Sequence, residues 1–191
     1  MSVPCPAATE PFTGDRSRMK IDKQLAAIQG MDAKARASLR INIDRWLTSG
    51  TVSQKADAAA VLAGLDSQEA AEHDARQTAP LAELVRKAFT AEPSTATDCR
   101  VLQALVDHPG KTSEELSAAS GWKKASAWHL HFGKMCERRK AWLPDPEYVE
   151  ARKGYFYTGL LADLDQDNCF TIKPEAAQAL ASLGIVKAAA A

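Results

Sequence analysis

The sequence Thr112-Ser113-Glu114-Glu115 sits between two helix-stopping signals, Pro109-Gly110 and Gly121. The Thr112 hydroxyl can accept the backbone N–H three residues on, and Glu115 can reach back to the Thr112 N–H, which makes a capping box. A helix starting there has room for only about two turns before Gly121. Ahead of it, Val101, Leu102, Leu105 and Val106 form the apolar stripe of another short helix. A longer helix is predicted from about residue 123 to 140. Two strand-like stretches follow, 155–161 and 169–172, separated by a turn-rich loop at 163–168. Pro174 opens a final helix through Leu180 and Leu183.

The predicted long helix has two chemically distinct faces. At the helical angle of about 100° per residue, Ala125, Trp128, Phe132, Met135 and Cys136 share one arc and form a buried stripe. Lys123, Lys124, His131, Lys134 and Arg138 share a neighbouring arc. Residues 121–140 hold six Lys/Arg against the single acid Glu137, a local net charge of +5. The whole chain balances 24 basic against 24 acidic residues, so any steering field has to come from such local clustering. Trp128 and Phe132 read as core, and Trp122 and Trp142 as packing the two ends of this helix.

The N-terminal half is helical in pattern. Residues 1–18, with Pro4, Pro6, Pro11 and Gly14, read as a disordered leader. Ile21, Leu25 and Ile28 mark one helix, stopped by Gly30; Leu39, Ile43, Trp46 and Leu47 mark a second, stopped by Gly50. Val61, Leu62 and Leu65 close a third. Residues 66–79 are polar and read as a solvated helix or a linker. Pro80 fits the first turn of a fourth helix carrying Leu81, Leu84, Val85 and Phe89. Ala91-Glu92-Pro93-Ser94-Thr95-Ala96 then breaks the pattern and marks the expected domain boundary.

The order helix, Gly turn, capped short helix, Gly turn, long helix and hairpin resembles the winged helix-turn-helix domains of bacterial regulators of the MarR and ArsR type. The carrying residues are Val101-Leu102-Gln103-Ala104-Leu105, Thr112-Ser113-Glu114-Glu115-Leu116, Gly121-Trp122 and Phe170-Thr171-Ile172-Lys173-Pro174-Glu175-Ala176. The resemblance covers residues 97–185, with residues 186–191 as a tail. It implies a chain that is mainly α with a small antiparallel β-sheet, a helical N-terminal region over 19–92 joined to a winged helix-turn-helix domain. It also implies that the helix at 123–140 enters the major groove of double-stranded DNA while the wing approaches the backbone. The DNA contacts it suggests are Lys123, Lys124, His131, Lys134 and Arg138 on the helix, with Arg152 and Lys153 at the wing tip. The expected function is transcription regulation in the cytoplasm, by a homodimer joined through the N-terminal helices. The alternative is a winged helix that docks protein and does not bind DNA. Residues 142–154, with Pro144-Asp145-Pro146, exceed a simple wing connection and predict a remodelled or shielded wing.

Other chemistries find little footing. The four cysteines are far apart, with no C-x-x-C pair, which fits free thiols in a reducing compartment. Neither a secretory signal nor an apolar run long enough to span a bilayer is present. Asp163-x-Asp165-x-Asp167 is similar to the start of a calcium loop, but Asn168 stands where a glycine belongs and Pro174 where the bidentate Glu belongs. An acidic hairpin turn is the better account. His129, His131 and Cys136 do not match zinc spacing. With no phosphate loop, nucleophile elbow or HExxH, the expectation is a non-enzyme without cofactor or metal.

Overall fold

The computed structural model describes residues 14–187. Of the expected leader, residues 1–13 lie outside the described residues and 14–18 belong to a helix; of the tail, 188–191 lie outside. The chain is mainly helical with a small antiparallel sheet, and it divides into two compact units between His73 and Asp74.

The first unit holds α1 (Gly14–Ile28), α2 (Ala33–Ser49) and most of α3 (Val52–Thr78). Asp32 caps α2 by accepting the Ala35 N–H at 2.7 Å, and Thr51 with Gln54 forms a reciprocal cap for α3. Ile28, Ile43, Ala58, Val61 and Leu65 are fully buried, with Leu25, Leu39, Trp46 and Leu47 packed around them. Gly64 lets α1 and α3 approach closely, because a Cβ there would collide with the Leu25 side chain. Polar residues 66–78 continue α3 as a helix. Arg36 makes a bidentate pair with Glu72 at 2.6 Å, and Arg40 reaches Asp66 and Glu69 at 2.7 Å, so ion pairs replace apolar packing along that stretch.

The second unit begins inside α3, not at the proline break, which corrects the expected boundary. Its helix α4 (Leu81–Ala91) buries Leu84, Val85, Ala88 and Phe89 in the same core as the elements that follow. After α4 come α5 (Ala96–Asp107), β1 (Lys111–Thr112), α6 (Ser113–Ala119) and α7 (Ala127–Arg138). Two two-residue strands, β2 (Tyr148–Val149) and β3 (Gly154–Tyr155), pair with each other alone. The chain then forms β4 (Ala162–Leu164), β5 (Cys169–Ile172) and α8 (Pro174–Ser182), with Pro174 in the first turn of α8. The three-stranded sheet is antiparallel in the order β1–β5–β4. Its core holds Leu102, Leu105, Leu116, Trp128, Phe132, Met135, Leu143 and Leu161.

The strand expected at 155–161 is not formed. Thr158, Leu160, Leu161 and Ala162 are all buried, and a strand that alternates its side chains between two faces cannot bury consecutive residues on one of them. A 3₁₀ turn over Tyr157–Leu160 does so instead, and the strand that pairs with β5 starts only at Ala162.

Candidate interaction surface

Helix α6, the turn after it and helix α7 carry most of the residues that the sequence singled out, and the β4–β5 hairpin is the one that pairs with β1. The capping box at α6 is present: the Glu115 N–H reaches the Thr112 hydroxyl, and the Glu115 carboxylate accepts the Thr112 N–H at 2.9 Å. Lys111 also donates to Glu115 at 2.9 Å. Together Lys111 and the Thr112 donors bring the Glu115 carboxyl down to about 2.

Helix α7 starts at Ala127, four residues later than expected, so Lys123 and Lys124 lie in the turn and not on the helix. Gly121, in the left-handed region at φ +76°, turns the chain out of α6. The start of α7 is set from outside the helix. The buried Ser117 hydroxyl accepts the Trp128 N–H at 3.0 Å and lies 2.7 Å from the Ala125 carbonyl oxygen, to which it can donate. Ser126, the residue before the first turn, makes no side-chain cap of its own. Ser117 thereby does for α7 what a cap residue normally does within one helix.

The buried stripe of α7 is Trp128, Phe132, Met135 and Cys136. Trp128 also donates from its indole nitrogen to the Val101 carbonyl at 3.0 Å, satisfying the polar edge of a buried ring. Burial pushes the Cys136 thiol up, which leaves a protonated, packed side chain. The outward ridge carries Leu130, Lys134 and Glu137, all exposed. His131 is exposed too, with its ring stacked on Trp122 at 4.9 Å and the Arg100 guanidinium 5.6 Å from the same indole.

Arg138 has a carboxylate partner within the chain. Its guanidinium donates to both oxygens of Asp98 on α5, at 2.7 and 3.0 Å, and is directed to the protein's own carboxylate. Arg139, beside it, is fully buried. It donates to the Glu92 carbonyl at 2.7 and 3.1 Å and to the Met135 carbonyl at 3.1 Å, lies 3.3 Å from Asp98, and sits 4.1 Å from the centre of the Phe89 ring. Two of the six basic residues at 121–140 are therefore structural. Burial works to raise the Asp98 carboxyl, but the Thr95 N–H and Arg138 outweigh it and hold the group below its ordinary value. Burial lowers Arg139.

Arg152 and Lys153 are not on the hairpin of the three-stranded sheet. They lie at the turn between β2 and β3, where Lys153 is exposed with φ +46°. The hairpin that pairs with β1 is β4–β5, and it carries Asp163, Asp165 and Asp167. Asp165 accepts the N–H groups of Asp167 and Cys169 at 2.9 and 2.8 Å, an Asx-type turn. Among the described residues, no cluster of His, Cys, Asp and Glu is arranged to hold a metal ion, and no helix is long and apolar enough to cross a membrane.

Sequence reasoning missed Asp98, Ser117 and Arg139. For Asp98 a signal existed, since Thr95-Ala96-Thr97-Asp98 has capping-box spacing and forms one. Arg139 carried none, being one member of a basic run. No family model, no curated protein and no solved structure matches this chain.

Proposed function

We propose that the second unit is a winged helix whose partner is protein and not the DNA double helix. The helices α5, α6 and α7 with a β1–β5–β4 sheet support the winged-helix reading, in which the β4–β5 hairpin is taken as the wing. The observation that carries the choice of partner is the acidic wing. Outside the Lys111–Glu115 and Arg138–Asp98 pairs, Arg100, Lys123, Lys124, Lys134 and Lys140 stand exposed beside Glu114, Glu137, Asp163, Asp165 and Asp167. Duplex binding draws its affinity from neutralising phosphates, and this surface carries as much negative charge as positive, with the negative charge concentrated on the hairpin. A fold of this kind does not itself imply DNA binding.

Duplex DNA is the second reading, favoured by one observation: Lys123 and Lys124 project from the turn that leads into α7. Fluorescence anisotropy with a random-sequence duplex separates the two. Protein docking predicts no saturable binding at about 50 mM salt. Micromolar binding that weakens steeply toward about 200 mM would overturn it in favour of DNA. Association of two copies through α1–α3 is supported by Ile41, which is 62% exposed, and by the half-buried Leu39, Trp46 and Leu47. Light scattering that gives a monomer mass would remove that reading. A cytoplasmic setting rests on the free cysteines alone.

A further inference from the structure

His129 and His131 are two residues apart on α7, and a helix turns by about 200° over that step. They therefore look to opposite sides of the helix. His129 lies against Phe170 of β5, with ring centres 5.7 Å apart, whereas His131 stacks on Trp122 at 4.9 Å. The acidic β4–β5 hairpin is thus on one side of α7. The turn that carries Trp122, with Arg100 of α5 against the same indole, is on the other.

The His131 side is basic. Arg100, Lys123, Lys124 and Lys134 are exposed, and among the described residues none of them forms an ion pair. Lys111 and Arg138, by contrast, already hold Glu115 and Asp98. The single acid between residues 121 and 140 is Glu137, one turn beyond Lys134. At about 100° per residue, Leu130 stands directly opposite the buried stripe of Trp128, Phe132, Met135 and Cys136, and it is 49% exposed. Lys134 follows it one turn on, displaced toward His131. One exposed leucine is ordinary on a helix. Beside a half-buried indole and among four unpaired cations, it makes a surface where apolar and charged contacts can form together.

We infer, resting on the protein-docking reading above, that the His131 side of α7 binds an acidic peptide carrying large apolar side chains. Its carboxylates pair with the four free cations, and an apolar side chain covers Leu130 and the exposed part of Trp122. A duplex laid on α7 in the winged-helix manner would also meet the wing, where Asp163, Asp165 and Asp167 repel phosphates. A short peptide can occupy the basic side alone. A single nucleic-acid strand is the nearest rival, but its bases would share the indole with His131 and Arg100, which already face it. The hairpin of a second copy is a poorer occupant, because Leu164 among its acids is half-buried and Phe170 is buried.

The test uses the full chain, labelled with nitrogen-15, and the capped peptide acetyl-Glu-Asp-Leu-Glu-Asp-Phe-Glu-Asp-Leu-amide at about 50 mM salt. Saturable shifts are expected at the Trp122 indole N–H and at the amides of Lys123, Leu130 and Lys134, and not at Asp163 or Asp165. Lys123→Glu combined with Lys124→Glu, and separately Leu130→Ser, should each weaken binding at least about fivefold. All three positions are exposed, so the spectrum of the folded core should stay intact. The peptide with Ser for Leu and Phe should bind at least about fivefold more weakly, and the one with Lys for Asp and Glu should not bind. No saturable shift at about 1 mM peptide overturns the inference, as do shifts centred on the hairpin or equal binding of the serine peptide. An oligothymidine of about twelve nucleotides that binds the same residues more tightly overturns it in favour of single-stranded nucleic acid. If the peptide fails and duplex DNA also fails, this assignment falls and protein docking stands at another surface. If duplex DNA binds with a steep salt dependence, the docking reading falls with it.

Discussion

The Arg139 guanidinium lies 3.3 Å from Oδ2 of Asp98, with Arg139 fully buried and Asp98 only 3% exposed. Asp98 is also the reciprocal member of the Thr95 capping box and the acceptor for Arg138. One carboxylate thereby joins the start of α5 to the end of α7. Through Arg139 and the Glu92 carbonyl, the same cluster ties down the proline-containing segment between α4 and α5.

Breaking that cluster from one side should be costly. Asp98→Ala leaves Arg139 buried without its counter-ion, and the expected loss is about 3–5 kcal/mol in urea unfolding. A loss below about 1 kcal/mol would show that Glu92 and Met135 alone hold the guanidinium.

The pH dependence follows in sign. The folded carboxyl of Asp98 lies below its ordinary value of 3.8, so its contribution is complete above that value. It is lost as the pH falls through the folded value. Stability of the wild type should therefore drop more steeply below about pH 4 than that of Asp98→Asn, as measured by denaturant midpoints across an acid series. Parallel slopes would contradict this.

Glu115 offers a local readout without an unfolding experiment. Its side-chain carbon resonance should titrate with a midpoint at about 2. Replacing Lys111 with Met should move the midpoint up toward the ordinary glutamate value of about 4.3. No movement would mean that the Thr112 donors alone set it.

Ser117→Ala removes the hydroxyl that accepts the Trp128 N–H. The expected cost is about 1–2 kcal/mol, comparable to losing a good helix cap. Ser126→Ala should cost much less, because Ser126 makes no cap contact. Equal losses in thermal unfolding would put the start of α7 under a different control.

Gly64→Ala tests the close approach of α1 and α3. Alanine favours a helix over glycine, but its methyl group meets the Leu25 side chain. The expected net effect is a destabilisation of about 1–2 kcal/mol in the first unit, seen in the near-ultraviolet signal of Trp46. A gain in stability would mean that Leu25 moves aside freely.

Much of the second unit is legible in the sequence. The Thr112–Glu115 capping box, the stop at Gly121, the stripe Trp128, Phe132, Met135 and Cys136, and Pro174 in the first turn of α8 all depend on residues near one another in the chain. The acidic turn at 163–168 was legible as a turn for the same reason. That its hairpin pairs with β1 was not. The basic arc of the long helix dissolved for two reasons: the helix starts later than periodicity suggests, and Arg138 has an acceptor forty residues upstream.

The sequence by itself determined where helices start and stop, because caps, prolines and glycines act within a turn or two of themselves. It also determined which helical faces are apolar and so must be buried. Only the tertiary structure decided that α4 joins the second unit's core, that Ser117 positions α7, that Arg138 and Arg139 pair with Asp98, and that β4 is the outer strand of its sheet. Each of these is a contact between groups distant in the chain. Which charge meets which is decided by packing, and periodicity carries no record of it.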